Sequence, residues 1–255
     1  MVTKLDLTPA ERYHSGSQRA RAATEGWAAN NMFCLACPSP HLRAMPVGYE
    51  VIDFVCPRRE APYQLKSSSR RFGARVVDGA YSAMLRAIKA DSTPHLLFLQ
   101  YSLLEAAVLE LFLVPRFALT LSCLEQRSPL RDSARRAGWV GCNILLRNLP
   151  PETRITLIGN GRVVSKRRAR AGYQRTLPIQ KLNADQRGWT LDVLKVVSDL
   201  GKERFSLQDI YSKEAYLAAL HPMNHNIQPK IRQQLQILRD MGLVEFTAPG
   251  QYRFL

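Results

Sequence analysis

Short apolar runs alternate with helical patterns over roughly the first 160 residues. The runs are rich in β-branched and aromatic side chains, which favour strands. They cover residues 49–56, 62–67, 96–101, 107–114, 139–145 and 154–158. Helical spacing is expected at residues 17–30 and 78–90, and Asp78 is placed to cap the second helix. This mixed order of helices and strands predicts an α/β domain.

A different pattern begins near residue 182. Helices are predicted at residues 189–200 and after Ser206, which has Asp209 at the capping-box spacing. A third helix is predicted at 227–241, followed by a hairpin within residues 243–254. Three helices and a hairpin are typical of a winged helix-turn-helix. We therefore expect two domains, an α/β domain of residues 1–181 and a winged-helix domain of residues 182–255.

The net charge of the chain indicates what kind of partner it binds. The chain has 36 Lys and Arg against 21 Asp and Glu, a formal net charge of +15. Such an excess indicates a polyanionic partner, above all nucleic acid. Residues 1–181 contain 27 basic and 13 acidic side chains, whereas residues 182–255 contain 9 and 8. The first domain is therefore expected to supply most of the attraction for phosphates.

One segment is basic throughout. Residues 153–184 contain eight Lys or Arg and no acid. Six of them lie close together, namely Arg162, Lys166, Arg167, Arg168, Arg170 and Arg175. Such a run is either a solvated loop or a phosphate-facing flank or linker.

Membrane contact is not expected. The most apolar stretch, residues 103–115, is short and contains Glu105 and Glu110, so it cannot span a bilayer. The N-terminus lacks the apolar core of a signal peptide, which predicts an intracellular protein. In that compartment the five cysteines are expected as thiols or metal ligands, with Cys123 and Cys142 in the core.

The predicted third helix has two distinct faces. Helical geometry places Ile227, Ile231, Leu235 and Leu238 on one side and Arg232, Gln233, Gln236 and Arg239 on the other. Arg and Gln suit bidentate contacts with guanine and adenine in the major groove. A recognition helix presents its N-terminal part, so the expected base contacts come from Gln228, Lys230, Arg232 and Gln233. The alternative is a solvated face or one that contacts protein.

A candidate catalytic group lies in the first two predicted strands. Asp53 falls inside the first strand, and Gln64-Leu65-Lys66 follows in the second. Gln64 and Lys66 point to the same face, so a hairpin would bring them towards Asp53. A carboxylate with a second oxygen ligand can hold Mg²⁺, and a lysine beside it can orient water for attack on phosphorus.

Longer motifs resemble the DpnI family of methyl-directed restriction endonucleases, which includes the Dam-replacing proteins. The resemblance extends from about residue 13 to 255 and is poorer between residues 145 and 180. Its motifs are Ser17-Gln18-Arg19-Ala20-Arg21 with Thr24-Glu25-x-Trp27, Cys34-x-x-Cys37, Asp78-Gly79-Ala80-Tyr81, the segments 134–144 and 230–240, and Arg187-Gly188-Trp189-Thr190.

This resemblance implies a PD-(D/E)XK nuclease core, a mixed sheet flanked by helices, followed by a winged helix. It also implies Mg²⁺-dependent cleavage of double-stranded GATC sites in which the adenine is N6-methylated, with Mn²⁺ as an alternative ion. The metal ligands would be Asp53, Gln64 and the Leu65 carbonyl. We expect a monomer in a bacterial or archaeal cytoplasm.

Trp139 matches the family's methyl-contacting aromatic residue, with Arg135 and Arg136 beside it in the motif. A flat indole suits methyl groups on the major-groove edge of DNA. The alternative role for Trp139 is core packing.

Two positions depart from the family pattern. Gln64 replaces an acid, which removes a negative charge that Mg²⁺ prefers. Glu25 could supply a compensating carboxylate, and we expect the enzyme to remain active. The family's zinc site has two Cys-x-x-Cys pairs, but here Cys56 is followed by Arg59 at the fourth position. Either His41 completes a zinc site with Cys34, Cys37 and Cys56, or the three thiols form a metal-free core.

Three functions therefore remain open. The first is a methyl-dependent endonuclease, and the second is a non-cleaving protein that binds methylated DNA. The third is a winged-helix transcription factor of unrelated specificity, which would show no preference for methylated DNA.

Overall fold

The computed structural model describes residues 1–46 and 51–255 and divides into two compact units. The first unit combines residues 1–73, 92–116 and 152–176. The second unit combines residues 74–91, 117–151 and 177–255.

The helices and strands of the described residues are numbered in chain order. The helices are α1 Gly16–Asn31, α2 Tyr81–Lys89, α3 Lys166–Gln180, α4 Ala184–Asp199, α5 Leu207–Tyr211, α6 Glu214–Leu220 and α7 Ile227–Asp240. The strands are β1 Arg43–Ala44, β2 Phe54–Val55, β3 Pro62–Ser68, β4 Arg75–Ala80, β5 His95–Ser102, β6 Ala107–Val114, β7 Leu124–Gln126, β8 Gly141–Leu145, β9 Ile155–Gly159, β10 Arg162–Val163, β11 Arg204–Ser206, β12 Val244–Ala248 and β13 Gln251–Phe254. Short 3-10 helices lie at Thr8–Ala10, Arg116–Ala118, Leu121–Cys123, Leu146–Asn148 and Pro151–Thr153.

The first unit is built on a mixed sheet in the order β1-β2-β3-β5-β6-β9-β10. Strands β3 and β5 run parallel, whereas the other neighbouring pairs are antiparallel. Strand β5 lies in the middle, and its run from Leu96 to Leu99 is fully buried. Continuous apolar sequence is what a strand covered on both faces requires.

Helix α1 packs on this sheet close to β3. Ala23, Thr24, Trp27 and Ala28 form its buried face. The Thr24 hydroxyl donates a hydrogen bond of 3.2 Å to Oγ of Ser67 in β3. The rotation of α1 about its axis is therefore fixed relative to the strand that contains Gln64 and Lys66.

The second unit contains the small sheet β4-β8-β7 and the C-terminal helices. Helix α2 packs on the small sheet through Met84 and Ile88, which cluster with Cys142. Cys142 and Cys123 are both buried, as predicted from the sequence.

The C-terminal part of the second unit is a winged helix. Helix α7 buries Ile227, Ile231, Leu235 and Leu238, which confirms the predicted apolar face. Ser206 and Asp209 form a reciprocal capping box at the start of α5. Strands β12 and β13 form the predicted hairpin, and β11 joins it. The structure also adds α6, a helix that the sequence pattern did not separate from α5.

The mixed sheet with helices, followed by the winged helix, confirms the predicted fold class. Within the described residues, helices long and apolar enough to cross a membrane are absent.

Three local predictions were wrong. The first concerns the strand at 49–56, of which Tyr49 and Glu50 lie outside the described residues. Of the remainder only Phe54–Val55 is a strand, so Asp53 precedes β2 and does not lie inside it. Val51 has φ of +69°, and this left-handed conformation is incompatible with an extended strand.

The second correction concerns Asp78, which does not cap a helix. It lies in β4 opposite Cys142 of β8, and α2 begins after Ala80 without a side-chain cap. Pairing with β8 therefore overrides the local capping signal.

The third correction concerns the basic run, which is neither a loop nor a linker. Residues 166–180 form α3, whose buried face consists of Ala169, Tyr173, Thr176 and Ile179. These residues recur at helical spacing, a signal that the density of arginines between them obscures.

Candidate functional site

Asp53 is held beside the edge of β3 by three hydrogen bonds. Its N–H donates to the Tyr63 carbonyl (2.9 Å), and its carbonyl accepts from Met45 N–H (2.9 Å). Its Oδ2 accepts from Leu65 N–H at 2.7 Å. Both the backbone and the carboxylate of Asp53 are thus fixed against β3.

The pairing of β3 leaves its edge open beside Asp53. Strand β2 pairs with β3 only at Tyr63 and Pro62, and beyond them the β3 edge meets the Asp53 side chain. The N–H and C=O of one strand residue point to the same edge, so the Leu65 carbonyl also faces the Asp53 side. The carboxylate and this carbonyl are two oxygen ligands of the predicted metal site.

Gln64 and Lys66 share one face of β3 and are both half-buried. The Gln64 side-chain carbonyl oxygen is buried without a hydrogen-bond partner within the described part of the chain. An unsatisfied buried oxygen is costly unless it acquires a partner. Its place next to Leu65 suits a cation held by Asp53, and the oxygen donor set fits Mg²⁺.

A cavity of about 510 Å³ lies beside Asp53 and is also lined by helix α1. One stripe of α1 forms this wall, and its small members leave the space open. The stripe consists of Gln18, Arg21, Ala22, Glu25, Gly26 and Ala29. Glu25 therefore lines the same cavity as Asp53, as its suggested accessory role requires.

Arg21 belongs to the first of the family motifs, but the sequence alone does not indicate a role for it. Its Nε donates to Glu25 Oε1 at 2.6 Å, one helical turn away. The pKa of Arg21 is raised, first by this hydrogen bond, then by the Glu25 charge and by the more distant charge of Asp53. Gln18, Arg21 and Glu25 recur at helical spacing, and this pattern could have indicated that Arg21 shares a helix face with Glu25.

Cys34, Cys37 and Cys56 converge in the first unit. Their sulfur atoms all lie within 4.8 Å of one another, and Sγ of Cys37 and Cys56 are 3.5 Å apart. Zinc–sulfur bonds of about 2.3 Å in tetrahedral geometry place sulfur atoms about 3.8 Å apart. The three thiols therefore fit three positions around zinc.

Among the described residues, no fourth His, Cys, Asp or Glu joins the cluster of three cysteines. His41 is exposed and does not belong to it, so the suggested His41 ligand is not present in this arrangement. Tyr63 instead donates its hydroxyl to Cys34 Sγ at 3.4 Å. Burial raises the pKa of the Cys34 thiol to about 11.

Arg170 of α3 holds the cysteine loop in place, a role that the sequence did not reveal. Its guanidinium donates to the Cys34 carbonyl at 3.3 Å and to the Ser39 carbonyl at 3.4 Å. It also lies over the Phe33 ring at 5.1–5.3 Å together with Lys166. The basic run thus contributes to the fold of the first unit as well as to its charge.

Trp139 lies in the second unit, at the end of an exposed basic loop between β7 and β8. Leu130 and Trp139 close this loop, since Leu130 N–H donates to the Trp139 carbonyl at 2.9 Å. The Arg136 guanidinium lies 5.0 Å from the centre of the indole. A Cβ on Gly141 would lie 2.8 Å from the indole, so the ring packs against the bare backbone there. Arg135 and Arg136 are exposed, and Trp139 is half-buried rather than a core residue.

The structure separates the residues predicted on α7 into two groups. Arg232, Gln233 and Gln236 are exposed. Lys230 turns back, 5.8 Å from the Trp189 ring centre and 3.8 Å from Asp185, and only 19% of its side chain is exposed. Gln228 donates to Glu214 at 2.8 Å.

All predicted catalytic residues lie in the first unit, and all predicted base- and methyl-contacting residues lie in the second. A model of the Dam-replacing family matches residues 1–182, and a model of the Dam-replacing HTH domain matches residues 185–254.

The chain belongs to the Dam-replacing family. Together the two matches cover almost the whole sequence, which confirms the resemblance recognised from its motifs. Membership in this family supports a methyl-directed, restriction-type function and DNA as the partner. The boundary between residues 181 and 182 stays a prediction, because the compact units are discontinuous in sequence.

Proposed function

We propose that this Dam-replacing family member is a type II endonuclease that cleaves double-stranded DNA at GATC sites carrying N6-methyladenine. The observation that carries the proposal is the hydrogen bond between the Asp53 side chain and strand β3. The Asp53 carboxylate is bonded to Leu65 N–H, and Gln64 and Lys66 flank Leu65 in the same strand. Asp53 and Lys66 are the acid and the lysine of the PD-(D/E)XK pattern, whereas Gln64 stands in place of its second acid.

Asp53, the Gln64 amide oxygen and the Leu65 carbonyl would hold Mg²⁺ or Mn²⁺. The bound ion would polarise the scissile phosphate and lower the pKa of a water molecule. Lys66 would orient the attacking water and stabilise charge that develops on phosphate oxygens. Glu25, which lines the same cavity as Asp53, would add a second carboxylate and so offset the missing acid at position 64.

Binding would be shared between the two units. The exposed Arg232, Gln233 and Gln236 of α7 would contact bases, and Trp139 with Arg135 and Arg136 would contact the methylated site. The exposed arginines of α3 in the first unit would hold phosphates.

Digestion of plasmid DNA tests the proposal. Purified protein is incubated with N6-methylated and unmethylated GATC plasmid in Mg²⁺ or Mn²⁺. Double-strand breaks are expected in methylated DNA alone, and Lys66→Ala should abolish them. Cleavage by Gln64→Glu but not by wild type would contradict the proposal for this chain and favour the non-cleaving protein.

A binding assay at fixed ionic strength separates the remaining alternative, because DNA affinity falls steeply with salt. Equal affinity for methylated and unmethylated sites would indicate a winged-helix transcription factor. We expect tighter binding to methylated DNA.

We further propose that Cys34, Cys37 and Cys56 hold zinc through three thiolates, a structural role distinct from catalysis. Elemental analysis of the purified protein should find one zinc per chain. Arg59→Cys restores a fourth thiol and should tighten zinc binding in a chelator competition. A folded wild-type protein without zinc would overturn this assignment.

A further inference from the structure

Arg21 lies at the point where the metal site of the proposed nuclease and helix α1 meet. It lines the cavity beside Asp53 and bonds to the one acid of the α1 stripe, Glu25. The Glu25 side chain is 35% exposed and that of Arg21 is 62% exposed, so the pair is open to the cavity. Buried Thr24 and Trp27 fix the helix rotation that directs both residues there.

Charge around the cavity is balanced without any bound cation. Among its lining residues, Asp53 and Glu25 contribute two negative charges, and Arg12 and Arg21 contribute two positive charges. Gln64 in β3 adds no charge to this balanced set, whereas an acid at that position would add a negative one. The arginines therefore have a larger relative effect here on the affinity for a divalent ion.

We propose that Arg21 sets the divalent-metal affinity of this site by competing with the metal ion for the Glu25 carboxylate. This inference rests on the proposed metal-dependent function. To hold the ion, the Glu25 carboxylate would have to leave its Arg21 partner, and the guanidinium would then face the cavity. Arg21 is a positioning residue in this scheme, since it acts through Glu25.

The test measures metal binding alone, without DNA or cleavage. Mn²⁺ is titrated into chelator-treated full-length protein, and free Mn²⁺ is followed by its electron paramagnetic resonance signal. Arg21→Gln should tighten Mn²⁺ binding about three- to tenfold at low ionic strength, because the Glu25 carboxylate then no longer has to give up an ion pair with Arg21. Arg21→Lys should bind Mn²⁺ like wild type, since it retains the charge.

Arg19→Gln is the matched control. Arg19 lies on the same helix, carries the same charge and does not line the cavity. It should leave Mn²⁺ affinity within about twofold of wild type. In the Glu25→Gln background the effect of Arg21→Gln should shrink to that of the control, because the carboxylate for which the two cations compete is gone.

The same series in the Gln64→Glu background distinguishes the two proposals. If neither wild type nor Gln64→Glu binds Mn²⁺, the metal-dependent function and the inference both fail. If Mn²⁺ binds and Arg21→Gln equals Arg19→Gln or weakens binding, the inference about Arg21 alone is overturned. Tighter binding in Arg21→Gln that persists without Glu25 would also overturn it, because competition for Glu25 could not be the cause.

Discussion

The Asp53 carboxylate accepts a hydrogen bond of 2.7 Å from the Leu65 backbone N–H. This bond ties a side chain that precedes β2 to the strand that carries Gln64 and Lys66. The bond fixes one carboxylate oxygen, Oδ2, and orients the other. A substitution that keeps the hydrogen-bond acceptor at position 53 but removes its charge can therefore test the charge alone.

Asp53→Asn tests the charge. Asparagine retains an oxygen that can accept from Leu65 N–H, so the fold should be preserved. We expect cleavage to fall by at least about a hundredfold, equivalent to about 2.7 kcal/mol in the barrier. Circular dichroism melts should match wild type, and binding to methylated DNA without metal should persist. Cleavage within a factor of two of wild type would contradict the role of Asp53.

The central strands β5 and β6 could be predicted from sequence, because they are long, apolar and locally consistent. The placement of Asp53 could not, since it is set by hydrogen bonds to Tyr63 and Leu65, the latter 12 positions away along the chain. The cysteine cluster was predicted as a set of ligands. The Arg170 bonds to the cysteine loop were missed, because they join residues 136 positions apart and have no local pattern.

Trp139 should lose its methyl preference when its ring is displaced without being removed. A Cβ on Gly141 would lie 2.8 Å from the indole, so Gly141→Ala forces the ring to move. We expect the ratio of affinities for methylated and unmethylated DNA to fall about tenfold, or 1.4 kcal/mol. Trp139→Ala should lower the ratio to a similar level.

Gly79→Ala serves as the control for this effect. Gly79 lies in β4 of the same small sheet, and a Cβ there meets nothing within 4 Å. Its affinity ratio should match wild type. Equal ratios for Gly141→Ala and Gly79→Ala would show that the indole position does not matter for methyl recognition.

On α7, exposed side chains should contact bases, whereas side chains packed within the unit should support the fold. Gln233 is exposed, and Gln233→Ala should cost about 1–3 kcal/mol of binding to the specific site with little change in thermal stability. Lys230 lies against Trp189 and Asp185, so Lys230→Ala should lower the melting temperature. Binding isotherms and thermal melts of both variants check the pair, and a reversed pattern would contradict the assignment.

His95 should make the stability of the first unit depend on pH. Its ring is buried between Tyr63 and Tyr173, and Nδ1 accepts from Arg116 N–H at 3.1 Å. Burial lowers the pKa of His95 from 6.5 to about 3. Between these values the unfolded chain binds a proton at this side chain and the folded chain does not. The contribution to stability is therefore complete above pH 6.5 and is lost as pH falls towards 3.

The expected size of this effect is about 1.4 kcal/mol of unfolding free energy per pH unit within that window. Urea unfolding of wild type and His95→Asn at pH 7, 6 and 5 measures it, since asparagine can accept from Arg116 N–H but does not titrate. The pH slope should be smaller in His95→Asn and unchanged in His14→Asn, which removes an exposed histidine. Parallel slopes in wild type and His95→Asn would contradict the prediction, because they would mean that folding leaves the pKa of His95 unchanged.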